Sequence, residues 1–120
     1  MSKQNEELMR VVYVEPNKAP RVMEMLHTLE AEQNAVGGLI ELVYNDDNTA
    51  IVCNDEGKLL GLPLNRALRN KRGEIYDIVS GTFLLCSAPP TSSNFESLSE
   101  EQIQKYIKKF KNVEIYIRRK

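Results

Sequence analysis

The sequence has no tryptophan, a single histidine and only two cysteines in 120 residues, and each scarcity removes a class of chemistry. Two thiols and one imidazole are too few for a zinc centre. His27 stands where a strand is expected to give way to a helix, a place suited to a capping or surface imidazole rather than a general base. Cys53 and Cys86 each lie inside an apolar β-type run, which fits buried, reduced thiols better than a disulfide or a nucleophile. No Ser–His–Asp or Cys–His constellation, Walker A loop or dinucleotide glycine fingerprint occurs. The acidic turn at Asp46 and Asp47 is no EF-hand, because Ile51 and Gly57 occupy the positions that need glycine and glutamate. Catalytic residues, metal and cofactor are therefore all expected to be none. No apolar run approaches the roughly 20 residues that span a bilayer. Residues 1–7 are polar and acidic, without the apolar core of a secretory signal. No membrane and a cytoplasmic location are expected.

Charge of neither sign dominates: the net is −1, yet residues from Ser99 onward carry +4 and those before it −5. A basic helix end complements its own dipole. The alternative is a nucleic-acid-facing patch over residues 105–120, but the aromatic and glycine-rich pattern of an RNA-binding sheet is absent. Nucleic acid is the minor reading.

What is present is an ordinary globular composition, 42% hydrophobic and 28% charged, in a chain long enough for one core. Residues 1–120 are read as one domain, with 1–7 frayed, 87–97 a loop and 118–120 a basic tail. Strands are expected over 8–14, 21–26, 39–44, 49–53, 58–60, 75–79, 82–86 and 113–117. Thr28 reads as the N-cap of a short helix over 29–36 that Gly37 and Gly38 end. Ser99 and Gln102 form a capping box for a helix to about residue 111, whose apolar stripe is Ile103, Tyr106, Ile107 and Phe110. Pro63, followed by Leu64 and Leu68 four apart, predicts a further short helix over 62–69. The fold class is α+β: a curved, mostly antiparallel sheet with two or three helices.

On that predicted helix, Asn65, Arg66 and Arg69 converge on one surface. Arginine offers a planar fork to phosphate or carboxylate, and asparagine both donates and accepts. Ser80, the Gly81 backbone and Thr82 can add hydrogen bonds, Tyr76 or Tyr44 can stack on a base, and Asn54 lies in the turn before. These are the candidate ligand-binding residues. The structural alternative has Asn65 capping a loop and Arg66 paired with Asp77 or Glu74.

A series of motifs runs in order along the chain: Val14-Glu15-Pro16-Asn17-Lys18-Ala19-Pro20, Val36-Gly37-Gly38, Cys53-Asn54-Asp55-Glu56-Gly57-Lys58, Asn65-Arg66-Ala67-Leu68, Ile75-Tyr76-Asp77-Ile78-Val79, Gly81-Thr82-Phe83-Leu84 and Ser97-Leu98-Ser99-Glu100-Glu101-Gln102. The series resembles the domain of unknown function three-eight-four-six, a family of bacteria, their phages and mobile elements. The resemblance implies that Gly37, Gly38, Asn54, Glu56, Gly57, Asn65, Arg66, Gly81 and Thr82 belong to the family pattern, and it brings no catalytic residues. It extends the expected setting to a bacterium or an infected host cell. The resulting expectation is a non-enzymatic binder of a small anionic, nucleotide-like ligand, sequestering an immune signal such as cyclic ADP-ribose or a cyclic dinucleotide. A site shared between the protomers of a homo-oligomer is one form of this expectation. The alternative is a nucleic-acid- or protein-binding accessory that uses the basic C-terminal segment; a phosphodiester hydrolase comes third.

Overall fold

The computed structural model describes residues 7–91 and 94–116. Strands β1 (Leu8–Val14), β2 (Arg21–Leu26), β3 (Ile40–Tyr44), β4 (Thr49–Asn54) and β7 (Phe83–Ser87) form one antiparallel sheet in the order β2-β1-β7-β4-β3. Strands β5 (Leu64–Arg69) and β6 (Ile75–Ser80) pair only with each other, as a separate antiparallel ribbon. Helices α1 (Leu29–Val36) and α2 (Glu100–Lys109) complete the α+β fold.

The alternating pattern of the strands divides the large sheet's side chains between two cores. Met9, Val11, Ala50, Val52, Leu84 and Cys86 face the side on which Ala31 and Ala35 of α1 pack. Val12, Val14, Ile51, Phe83 and Leu85 face the other side, where they meet Ile103, Tyr106 and Phe110 of α2 and Leu68 and Val79 of the ribbon. Central β7 serves both faces, so Phe83, Leu84, Leu85 and Cys86 are all fully buried. Each of its large side chains contributes roughly 1.5–3 kcal/mol of burial. On the α2 side Phe83 meets Phe110 edge-on, with ring centroids 5.2 Å apart.

Both helices begin as their caps dictate. Thr28 accepts the Ala31 amide, and Ser99 and Gln102 exchange the reciprocal bonds of a capping box. Helix α2 is fastened to the β3–β4 turn by Asp47, whose carboxylate meets Thr49 at 2.5 Å, Tyr106 at 2.6 Å and Lys105 at 2.6 Å.

Three sequence expectations are corrected. Residues 64–69 form strand β5, not a helix, because their backbone pairs antiparallel with β6 and four successive residues, 65–68, are buried. Residues 58–60 are a turn rather than a returning strand. Residues 113–116 have no regular structure; instead Glu114 lies on the open edge of β5, accepting the Ala67 amide at 3.0 Å. Residue 117, the tail 118–120 and residues 1–6 lie outside the described residues. In the expected loop, Ser87 ends β7 and exchanges two backbone hydrogen bonds of 2.9 Å with Glu96.

Candidate functional site

The Asn65–Arg66 motif lies in the interior, not on a surface. The register of β5 against β6 slips between Leu64, opposite Ser80, and Arg66, opposite Val79, leaving Asn65 as an extra residue. A bulge of this kind turns two successive side chains to the same side. Asn65 and Arg66 are both at 0% exposure. Asn65 Nδ2 donates to Val14 O at 3.0 Å and Gly81 O at 2.9 Å. Arg66 donates through Nε to Phe110 O at 3.1 Å, through Nη1 to Asn65 Oδ1 at 2.8 Å and through Nη2 to Lys18 O at 2.7 Å. The guanidinium thus joins the ribbon, the end of α2 and the β1–β2 loop. Burial pulls its pKa down, opposed by Glu114 and Tyr116, and an arginine so placed stays charged. Its charge is balanced by carbonyl dipoles rather than by a direct contact with Asp77 or Glu74.

The other expected site residues separate around this clamp. Arg69 is on the surface, paired with Glu114 at 3.1 Å. Gly81 turns the chain from the ribbon into β7 with φ 85°, and a Cβ there would come within 2.8 Å of Leu62 Cδ1. Its amide donates to Pro63 O at 2.7 Å. Thr82 is half-buried beside the Tyr13 phenol. Tyr76 is 58% exposed on strand β6.

Ser80 and Asn54 do come together. They line a cleft of about 90 Å³ between the β4–β5 loop, the edge of β3–β4 and strand β6. Gly57 closes the loop over it: a Cβ at that position would sit 2.7 Å from the Ser80 carbonyl oxygen, a backbone atom that cannot step aside. Asn54 holds the loop's start, its Nδ2 donating to Val36 O at 3.1 Å and its Oδ1 accepting the Glu56 amide at 2.7 Å. Ser80 is 4% exposed, and its hydroxyl has no hydrogen-bond partner. Among the described residues it is the buried side-chain polar atom left in that state. Leaving such a group unsatisfied costs roughly 1–3 kcal/mol.

Glu41, Asp55, Glu56 and Asp77 contribute carboxylates to the cleft, and Lys58 contributes its ammonium. Lys58 Nζ is paired with Asp77 Oδ1 at 2.5 Å. Cys53 forms part of the wall, where burial, with Glu41, Asp77 and Asp55 adding to it, pushes its thiol up to about 11. It is a protonated, weakly nucleophilic thiol at neutral pH. Lys58 and the carboxylates had no distinguishing mark in the sequence, where they read as turn and strand-surface charges. The one available signal was Gly57 in an Asn-Asp-Glu-Gly turn, which announces a tight loop but not what lies beneath it.

On the α1 side of the sheet, larger hollows of about 380, 320 and 290 Å³ meet around Phe95, bordered by His27, Glu32 and the exposed Tyr44. Glu32 is 5% exposed; burial raises its pKa and His27 partly offsets this. His27 thus borders a buried carboxyl, a neighbour its sequence position does not disclose.

Residues 9–111 match the domain of unknown function 3846. The chain belongs to that family. No curated protein and no solved structure matches it. Among the described residues, no helix is long and apolar enough to cross a membrane, and no group of three His, Cys, Asp or Glu side chains is placed to hold a metal ion. Membership in the family assigns no chemistry.

Proposed function

We propose that this protein is a non-enzymatic binding module for a small polar ligand, and that the cleft under the β4–β5 loop is its site. The observation that carries this reading is the unpartnered Ser80 hydroxyl, buried in the wall of a cleft that also holds Asn54 and Gly57. A ligand that hydrogen-bonds Ser80 recovers free energy that folding leaves unclaimed. The chemistry of the walls supports binding over catalysis: the one thiol is held protonated, and the one lysine is neutralised by Asp77.

A nucleotide-derived immune signal belongs to this proposal as one ligand class. In this protein Arg66 does not reach its phosphates, because the guanidinium is already held by Phe110, Asn65 and Lys18. Such a ligand would enter the cleft by the amino groups of its base.

A thermal-shift screen of amines, nucleosides and cyclic nucleotides tests the reading. A ligand at a hundredfold excess over its dissociation constant stabilises the fold by about 2.7 kcal/mol. The expected result is a shift that Ser80→Ala reduces to about half, as a tenfold loss of affinity requires. A ligand shift that survives unchanged in Ser80→Ala would move the site elsewhere.

A further inference from the structure

The cleft is rich in acceptors and poor in free donors. In its roof, the amides of Asp55, Gly57 and Leu60 donate to Leu39 O, Asn54 O and Glu56 O. The Glu56 amide goes to Asn54 Oδ1. The Asn54 amide nitrogen is held by Val36 O, and the Lys58 ammonium is held by Asp77. An anion entering here would meet few unengaged N–H groups, and the loop is no phosphate cradle of the kind that free backbone amides make. What lines the space instead is an excess of carboxylates, Glu41, Asp55 and Glu56 beyond the Lys58–Asp77 pair, with buried Ser80 in the same wall.

Resting on the reading of this cleft as the ligand site, we infer that it takes an organic cation, an ammonium or guanidinium head group on an aliphatic stem. The two observations are independent: the carboxylates supply the charge, and the buried, unpartnered Ser80 hydroxyl supplies an acceptor at the inner wall. A head group of this kind brings several N–H donors and no acceptor, the complement of these walls. A small head group of this kind fits a narrow space of about 90 Å³. Leu59, 87% exposed at the lip, offers an apolar surface for the stem. The high thiol pKa of Cys53 reports the same electronegative surroundings, since Glu41, Asp77 and Asp55 all act on it alongside burial. A bare divalent ion is a poorer match, because no three ligating side chains among the described residues converge.

The test is calorimetric titration of the full chain with butylguanidinium, its uncharged counterpart butylurea, and cyclic AMP. Butylguanidinium should bind about tenfold or more tighter than butylurea, the equivalent of 1.4 kcal/mol. Ser80→Ala should weaken it by a similar factor, and Glu41→Gln together with Asp55→Asn should weaken the cation while sparing butylurea. A capped tripeptide with a central arginine separates the two sources of such a group: tighter binding than butylguanidinium places the cation on a protein partner, weaker binding places it on a free small molecule. If butylurea or cyclic AMP binds more tightly and Ser80→Ala abolishes it, the cation is wrong and the cleft remains the site. If butylguanidinium binds the wild type, Ser80→Ala and the doubly substituted Glu41→Gln, Asp55→Asn protein equally, the cleft itself is excluded. Absence of binding by all the probes at millimolar concentration overturns the cation.

Discussion

Arg66 and Ser80 stand on the two strands of one ribbon, both withdrawn from water, and the surroundings treat them in opposite ways. The guanidinium finds a partner on each of three segments, whereas the hydroxyl finds none. A buried charge held on three sides is a structural joint, and removing it strands its partners. A buried neutral hydroxyl with nothing to bond is a small standing cost, and removing it relieves the cost. The residue types alone suggest the reverse, since arginine is the usual recruiter of anionic ligands and serine is unremarkable. Satisfaction of hydrogen bonds, rather than residue type, separates the two.

The comparison breaks most sharply at Arg66. Arg66→Met should lower stability by at least about 3 kcal/mol, because three acceptors lose a charged donor in the interior. Arg66→Lys should recover little of this, since an ammonium lacks the planar fork that reaches three segments. Urea denaturation measures both, and a midpoint equal to wild type would deny the joint. Next comes Asn65→Ala, which frees Val14 O and Gly81 O and should cost roughly 2 kcal/mol.

An intermediate effect is expected at Asp47, where the polar cluster is at the sheet's other end. Burial pushes this carboxyl up, but hydrogen bonds from Lys105, Thr49 and Tyr106 outweigh burial and bring it down to about 2 from the usual 3.8. Since the folded state favours the ionised form, the stabilisation is complete above the unfolded value and is lost as pH falls through about 2. Asp47→Asn should cost about 1 kcal/mol at neutral pH and flatten the acid limb of a stability-against-pH curve between those values. An unchanged acid limb would remove Asp47 from the account. The smallest change in stability belongs to Ser80→Ala, which should leave the melting temperature unchanged or raise it slightly while ligand binding is weakened. A loss of more than about 1 kcal/mol would show that the hydroxyl has a structural partner after all.

How legible the molecule was in its sequence varies by the range of the interactions. Thr28, Ser99 and Gln102 announced both helices because caps act over three or four residues. The runs through Val12, Val52 and Leu85 announced strands by β-branched and apolar density. Strand β5 escaped because Leu-Asn-Arg-Ala-Leu-Arg has no alternation to read: its bulge places Asn65 and Arg66 both inside, and Ala67 and Leu68 are buried as well. The proline before it and the four-residue leucine spacing then imitate a helix, and tertiary contacts override that local preference. The break at Ser80 and Gly81 was visible, but not that it separates two sheets, since β7 pairs with β1 and β4 rather than with β6. For the site, Asn54 and Ser80 were named in the sequence and lie together in the cleft, while Lys58, Glu41 and Asp55 acquire meaning only from where the loop folds back.

The Arg66 joint also has an order in time. Its guanidinium is synthesised after Lys18, one of its carbonyl partners, but before Phe110, another, which lies 44 residues further on. A chain leaving the ribosome therefore carries this charge among apolar strands with one side uncovered until α2 has emerged to lay its last carbonyl across it. The C-terminal helix is in this sense a latch: truncations that stop short of it should behave not as a slightly smaller version of the protein but as a core that has a charge inside and no means of closing over it.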